Sequence, residues 1–207
     1  MAMTRDRELR LVPASSTGTA VEDRSDEDLM VATGAGSRDA FAVLVARYLG
    51  RIESYCAKLT TDDRTAEELA QEVMLAVWRT RGAYRPAKPF RVFVFTIASN
   101  RCRNHARSWR RRLRWFGFAD PAAEPDHLPA LEPGQLDRVL EIERQRRVRA
   151  ALGALPARAR NALVLRFEHD LSYAEIAQIA GGSEGTARSH VFHALRKLQR
   201  LLEEDAA

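Results

Sequence analysis

Forty-seven consecutive residues, Val73 to Ala119, contain no Asp or Glu in a chain that carries 28 of them. The same stretch holds 12 Lys or Arg and nine of the 15 aromatic residues, including Trp78, Trp109 and Trp115. A carboxylate there would repel phosphate, and planar rings stack on exposed bases, so the pattern suits a surface for single-stranded nucleic acid. A second cluster follows the pair Gly181-Gly182, where Glu184, Thr186, Arg188, Ser189, His190 and His193 crowd one short run. Arg can bond guanine through two donors, and Ser or Thr can reach a base edge or a phosphate. Nothing comparable points to catalysis. His105, His127, His169, His190 and His193 are scattered, no Gly-rich phosphate loop is present, and no nucleophile stands at useful spacing from a base. The chain is therefore expected not to be an enzyme and to need no cofactor or metal.

The elements that position these residues are helical. Strand signals are nearly absent; Val92 to Phe95 is the one β-like run, and it lies inside a helix-compatible stretch. A short helix capped by Ser25 ends at Gly34–Gly36. Residues 37–60, with Ser37 as N-cap, carry Phe41, Leu44, Val45, Tyr48, Ile52, Tyr55, Cys56 and Leu59 at spacings of three and four. Thr65 followed by Glu68 has the form of a capping box opening a helix to about Arg79, with Trp78 expected to be buried. Gly82, Pro86 and Pro89 break the chain, and a basic helix runs from Phe90 to about Arg114. Between 117 and 134, Pro121, Pro125, Pro129 and Pro133 alternate with acids, which reads as a linker.

Beyond it, residues 136–155 form an amphipathic helix. Pro156 starts another at its first position, with Leu163, Val164 and Phe167 inward. Ser172 and Glu175 make a capping box over a short helix with Ile176, Ala177 and Ile179 inward. After Gly181-Gly182, Ser183 caps a last helix carrying Ala187, Val191, Ala194, Leu195, Leu198, Leu201 and Leu202. Short helix, tight glycine turn and a second helix with a polar free face is a helix-turn-helix, whose second helix enters a major groove N-terminus first.

The expected fold is all-α, with two small helical domains at 25–116 and 135–204. A flexible extension precedes them at 1–24, and the Pro-rich linker at 117–134 joins them. Net charge is +5 with a pI near 9.7, and the positive excess is local, which favours a nucleic-acid partner. No run approaches the roughly 20 apolar residues of a membrane span, and residues 1–24 lack the apolar core of a signal peptide, so a cytoplasmic protein without membrane insertion is expected. Cys56 and Cys102 form no CxxC and have no His cluster, against a zinc site or a disulfide framework. Cys56 reads as core. For Cys102, in the basic helix, a redox role stays open beside that of a small buried hydrophobe.

The residues also carry a resemblance. Leu155-Pro156-Ala157-Arg158, Leu171 to Ala177 and Ser183 to Ser189 resemble the −35-binding region 4 of extracytoplasmic-function sigma factors, the group 4 members of the sigma-70 family. Ala66 to Val73 resembles the region 2 helix that grips the RNA polymerase β′ subunit, and Phe90 to Asn100 looks like the segment that melts and reads the −10 element. The match spans about 25–203.

The resemblance implies an alternative sigma factor that binds core polymerase (β′ and β subunits), recognises duplex and melted promoter DNA, initiates transcription, commonly in a stress response, and answers to an anti-sigma factor. It implies polymerase docking by Glu67, Glu68, Leu69, Gln71 and Glu72. It implies −10 recognition by Tyr84, Arg85, Lys88, Phe90, Phe93, Asn100, Arg103, Asn104, Arg107, Arg110, Arg111 and Arg112. Of these, Tyr84 to Phe90 with Asn100 and Asn104 would line the pocket for a flipped base. Arg158, Thr186, Arg188, Ser189, His190 and His193 would read or position the −35 element.

The sequence departs from the family pattern at Glu68 and Asn104, where Asp is usual, at Phe93 for Trp, at Ala187 for Val, and at His190 and His193 for Arg. Neutral His offers one donor rather than a fork, so an altered −35 preference or weaker −35 dependence is expected. Off polymerase, the two domains are expected to be loosely tethered. An ordinary helix-turn-helix regulator would need a dimerisation seam, which the sequence lacks. A sigma-like decoy for an anti-sigma factor would not need the acid-free window.

Overall fold

The computed structural model describes residues 21–60, 62–116 and 136–204. The linker at 117–134 and most of the extension at 1–24 lie outside the described residues. Helices account for nearly all of the rest, in the order α1 (Asp26–Gly34), α2 (Arg38–Thr60), α3 (Asp63–Thr80), a 3-10 turn (Arg81–Ala83), α4 (Phe90–Phe116), α5 (Leu136–Gly153), α6 (Ala157–Phe167), α7 (Tyr173–Ala180) and α8 (Glu184–Glu204). Among the described residues there is no strand, and Val92 to Phe95 are a turn of α4.

Local caps start these helices. Ser25 accepts from the Asp28 N–H at 3.1 Å, and Ser37 from the Ala40 N–H at 3.2 Å. Ser183 accepts from the Thr186 N–H at 3.1 Å, and Ser172 and Glu175 close a reciprocal capping box. The start of α3 differs from expectation. Asp62, not Thr65, is its N-cap and accepts from the Thr65 N–H at 3.0 Å, while Glu68 faces Arg64 at 3.5 Å. A carboxylate at that position also meets the positive end of the helix dipole, which a threonine hydroxyl cannot do. Pro156 sits at the N-cap of α6, one residue outside its expected place.

Helices α1–α4 enclose the first core, with Leu29, Met30, Leu44, Ile52, Tyr55, Val73, Val77, Phe90 and Phe95 fully buried. The α4 N-terminus is capped from a distance. The Phe90 N–H donates to the Glu27 carboxylate of α1 at 2.8 Å, so the basic helix is aimed by the first helix of the bundle. Trp78 is half-buried against Phe41, with ring centres 5.0 Å apart and the Arg81 guanidinium 4.2 Å above it. Helices α5–α8 build the second core around Leu152, Leu155, Leu165, Leu171, Ile176 and Val191. Two expected core residues lie outside it: Phe167 is 61% and Leu195 40% exposed. Gly181 and Gly182 turn the chain between α7 and α8 at φ +73° and +153°, a backbone that residues with a Cβ rarely adopt.

The two units are not loosely tethered. Helix α7 packs on α4, and α6 on α2. Ala159, Asn161, Ala162, Leu163, Val164 and Leu165 of α6 are all buried, more than one helix face can account for, because α6 is covered by its own unit on one side and by the first unit on the other.

Candidate nucleic-acid interface

The seam between the units is polar at its centre. Asn161 of α6 accepts from the Tyr55 hydroxyl of α2 at 2.5 Å and donates to the Ser99 hydroxyl of α4 at 3.3 Å. Arg91 of α4 pairs with Glu175 of α7 at 2.6 Å. Burial pushes the Glu175 carboxyl up, but hydrogen bonds from Ser172 and the Arg91 guanidinium outweigh it and hold the group below its ordinary range. Lys58 meets Glu168 at 2.6 Å, Ser54 also donates to Glu168, and Arg160 reaches the Leu59 carbonyl at 3.0 Å. The His169 ring lies between Tyr55 and Phe95, with centres 5.8 and 4.5 Å away.

This seam is imperfectly satisfied. Arg160 Nε, Glu168 Oε2 and His169 Nε2 are buried without a hydrogen-bond partner, and all three belong to it. Burial lowers the His169 pKa to about 4, with Glu168 and Asp170 opposing the shift and Arg51 and Lys58 adding to it. The folded value is depressed below the ordinary 6.5, so exposed His169 binds a proton more readily than the packed form. The packing contribution is complete above about pH 6.5 and is lost progressively as pH falls toward 4. Small-angle scattering between pH 7.5 and 5 should show the two units separating on acidification. His169→Phe should flatten that response.

Beside the seam lies a cavity of about 350 Å3. Its walls include Arg103, Arg107 and Arg110 of α4, Arg158 and Arg160 at the start of α6, and Thr186 and His190 of α8, and no carboxylate among the described residues lines it. Burial pushes the Arg160 guanidinium below its ordinary range, and the charge of Arg110 adds to that shift. Residues expected to serve two different DNA elements thus face one shared space. Asn104, Arg107, Arg110 and Arg111 continue the α4 surface, and Arg112 lies 5.5 Å from the Trp109 ring.

The structure sorts the remaining expected site residues. Arg85, Lys88, Asn100, Arg103, Asn104, Arg107, Arg110, Arg111 and Arg112 are exposed on the first unit, and Arg158, Thr186, Arg188, Ser189 and His193 on the second. Arg188 is held by Glu184 at 3.1 Å and lies 5.2 Å from the Tyr173 ring. Three aromatics expected among the −10 contacts, Tyr84 and Phe90 of them in the base pocket, are engaged elsewhere. Phe90 is fully buried against Tyr48, Tyr84 is buried with its hydroxyl on the Lys88 carbonyl at 2.7 Å, and Phe93 is half-buried beside Tyr84. Their rings build the loop at 84–89 instead of standing free for stacking.

On α3, the helix expected to dock on polymerase, Glu67, Glu68, Gln71 and Glu72 are exposed, but Leu69 is 6% exposed and belongs to the core. The exposed apolar residue on that helix is Leu75, at 54%. Sequence reasoning missed it because a leucine within helical periodicity reads as core. It also passed over Asn161, although a polar residue amid apolar neighbours on α6 was a usable signal.

These features define a two-unit helical DNA-binding protein with a helix-turn-helix and a separate basic helix. The comparisons make the class specific. Residues 44–112 match Sigma-70 region 2, and residues 145–198 match Sigma-70, region 4. RNA polymerase sigma factor CarQ of Myxococcus xanthus is 32% identical over 82% of this chain and 92% of its own length. RNA polymerase sigma-H factor of Pseudomonas aeruginosa is 29% identical over 86% of this chain and 94% of its own. Among solved structures, CnrH in complex with the cytosolic domain of CnrY has a TM-score of 0.66 at 23% identity, covering 88% of this chain and 99% of that one. The sigma factor RpoE bound to the anti-sigma factor NepR from Bartonella quintana has a TM-score of 0.64 at 23% identity, covering 79% and 96%. The chain belongs to the sigma-70 family, as an alternative RNA polymerase sigma factor of the extracytoplasmic-function group.

Proposed function

We propose that the first unit (25–116) reads and melts the −10 element, that the second (135–204) reads the −35 element, and that the packed arrangement must open before both can do so. The shared cavity supports this reading most directly, since Arg103, Arg107 and Arg110 face Arg158, Thr186 and His190 across it. Elements about 25 base pairs apart lie roughly 85 Å apart on B-DNA, at ~3.4 Å per pair. A single cleft cannot span that distance. Core polymerase would hold the units apart and make the two DNA contacts bivalent. In the open form, Asn100, Arg103, Asn104 and the α4 arginines would grip the melted strand. Arg188, Ser189, His190 and His193 would enter the major groove with Arg158 on phosphate. Extruding a base costs a few kcal/mol, which edge hydrogen bonds and stacking must offset. Arg85, Lys88 and the half-buried Phe93 would flank the extruded base.

Glu67, Glu68, Gln71 and Glu72 with Leu75 form the surface offered to polymerase, with Leu75 as its apolar centre. Replacing Leu75 by Glu should weaken core binding by roughly thirtyfold, about 2 kcal/mol at a central anchor, without loss of helix content. Unchanged affinity would move the docking surface elsewhere. Relatives whose structures contain CnrY or NepR suggest an anti-sigma partner for this chain too, acting with it in the cytoplasm. Among the described residues, no helix is long and apolar enough to cross a membrane. Run-off transcription with core polymerase and genomic fragments tests the assignment. Promoter-specific transcripts are expected, and their absence together with absence of core binding would refute it. His190→Arg and His193→Arg should shift −35 affinity or base preference; no change in either would remove both residues from readout.

A further inference from the structure

The two cysteines, 46 positions apart in the chain, meet in the fold. Cys102 Sγ of α4 lies 3.5 Å from Cys56 Sγ of α2, and both are free thiols. Their environments differ. Cys56 is fully buried, whereas Cys102 lines the cavity between the two units and is reached from it. Contact with Cys102 and burial push the Cys56 thiol up, so it stays protonated. No third ligand joins them, because among the described residues no group of three or more His, Cys, Asp or Glu could hold a metal ion. What two facing thiols with one open side suit is oxidation to a disulfide.

We infer that Cys102 and Cys56 form a peroxide-oxidisable dithiol site whose closure loosens the packing of the second unit on the first. Cys102 sulfur attacks the peroxide, an S–O bond forms and the O–O bond breaks, and the leaving hydroxide takes the Cys102 proton as water. Cys56 sulfur then attacks Cys102, the S–S bond forms, the S–O bond breaks, and a second water leaves with the Cys56 proton. Two thiols supply the two electrons that reduce one peroxide.

An S–S bond is about 2.05 Å, so closure draws the sulfurs about 1.5 Å nearer and shifts α2 against α4. The seam registers that shift. Tyr55 adjoins Cys56, Ser99 lies one turn before Cys102, and the Asn161 amide is hydrogen-bonded to both. One side chain cannot follow two helices that move relative to each other, so the second unit is released. The disulfide itself is independent of the proposal that opening permits promoter binding; only its effect on transcription rests on that reading.

The test treats the full chain with hydrogen peroxide and follows mass, thiol count and radius of gyration. Expected are a loss of 2 Da, loss of both titratable thiols and a larger radius, all reversed by dithiothreitol. Cys56→Ala should instead stop at a Cys102 sulfenic acid, a gain of 16 Da that added dimedone converts to a thioether adduct with loss of water. Retention of both thiols under peroxide that oxidises a small free thiol would overturn the site. A disulfide formed between two chains would overturn it equally. An intramolecular disulfide with an unchanged radius would overturn the link to packing.

Discussion

Neutralising Arg110, Arg111 and Arg112 together is expected to flatten the salt dependence of promoter binding by about 2.7 in the slope of log K against log salt, and to lower affinity at 0.1 M salt by roughly a hundredfold. Each phosphate neutralised on duplex DNA contributes about 0.9 to that slope, and about 0.7 on a single strand. The slope change therefore also reports which form of DNA the three arginines meet: about 2.7 for duplex and about 2.1 for melted strand. All three side chains are exposed, and among the described residues none is tied to the seam by a hydrogen bond or ion pair, so the substitution should leave both cores intact. Arg110 borders the shared cavity and its charge opposes that of Arg160, so its removal should favour the packed form slightly and add to the loss. Filter binding or fluorescence anisotropy from 50 to 400 mM salt measures the slope. An unchanged slope would place these arginines off the DNA.

The second large effect concerns the seam. Asn161→Leu is expected to release the second unit from the first and to raise promoter affinity. The substitution strips the Tyr55 and Ser99 hydroxyls of their shared partner while both are buried. Ser99 still accepts from Arg103 at 3.4 Å, so the cost falls mainly on the Tyr55 hydroxyl; an unsatisfied buried polar group costs about 1–3 kcal/mol, which shifts the packed-to-open ratio by roughly fivefold to 150-fold. In the open form both hydroxyls reach water, so the cost falls on the packed form alone. Leucine is a better helix former than asparagine, so α6 itself should not weaken. When only an open fraction binds, apparent affinity scales with that fraction, and the gain ends once the open form dominates. A larger radius of gyration with tighter promoter binding is the expected pair of results. A larger radius with unchanged binding would show that packing does not compete with DNA.

Much of the architecture was legible because its signals are local. Ser25, Ser37, Ser172 with Glu175, and Ser183 each satisfy N–H groups within three residues, and Gly181-Gly182 marks its turn by backbone freedom alone. The Asp62 cap was missed where two local signals overlapped and the charged one prevailed. The candidate site was less legible. Exposed arginines follow from helical periodicity, but the roles of Tyr84 and Phe90 do not, since an aromatic at the start of α4 serves equally in a core or a base pocket. Only its contact with Tyr48, 42 positions earlier in the chain, decides. The seam was invisible for the same reason. Asn161, His169 and Cys102 gain their meaning from residues 46 to 114 positions away, and single-residue chemistry identified none of those partners.

The most direct test of the packed-to-open account is a covalent lock across the seam. Arg91 and Glu175, whose side-chain ends are 2.6 Å apart as an ion pair, are replaced together by cysteine in a chain also carrying Cys56→Ala and Cys102→Ala, and the two thiols are joined by a short bismaleimide with a disulfide in its spacer. Run-off transcription with core polymerase is then compared for the crosslinked and the reductively cleaved forms of that one protein. The account predicts no promoter-specific transcript from the locked form and transcription restored by dithiothreitol. Equal transcription from both forms would contradict it.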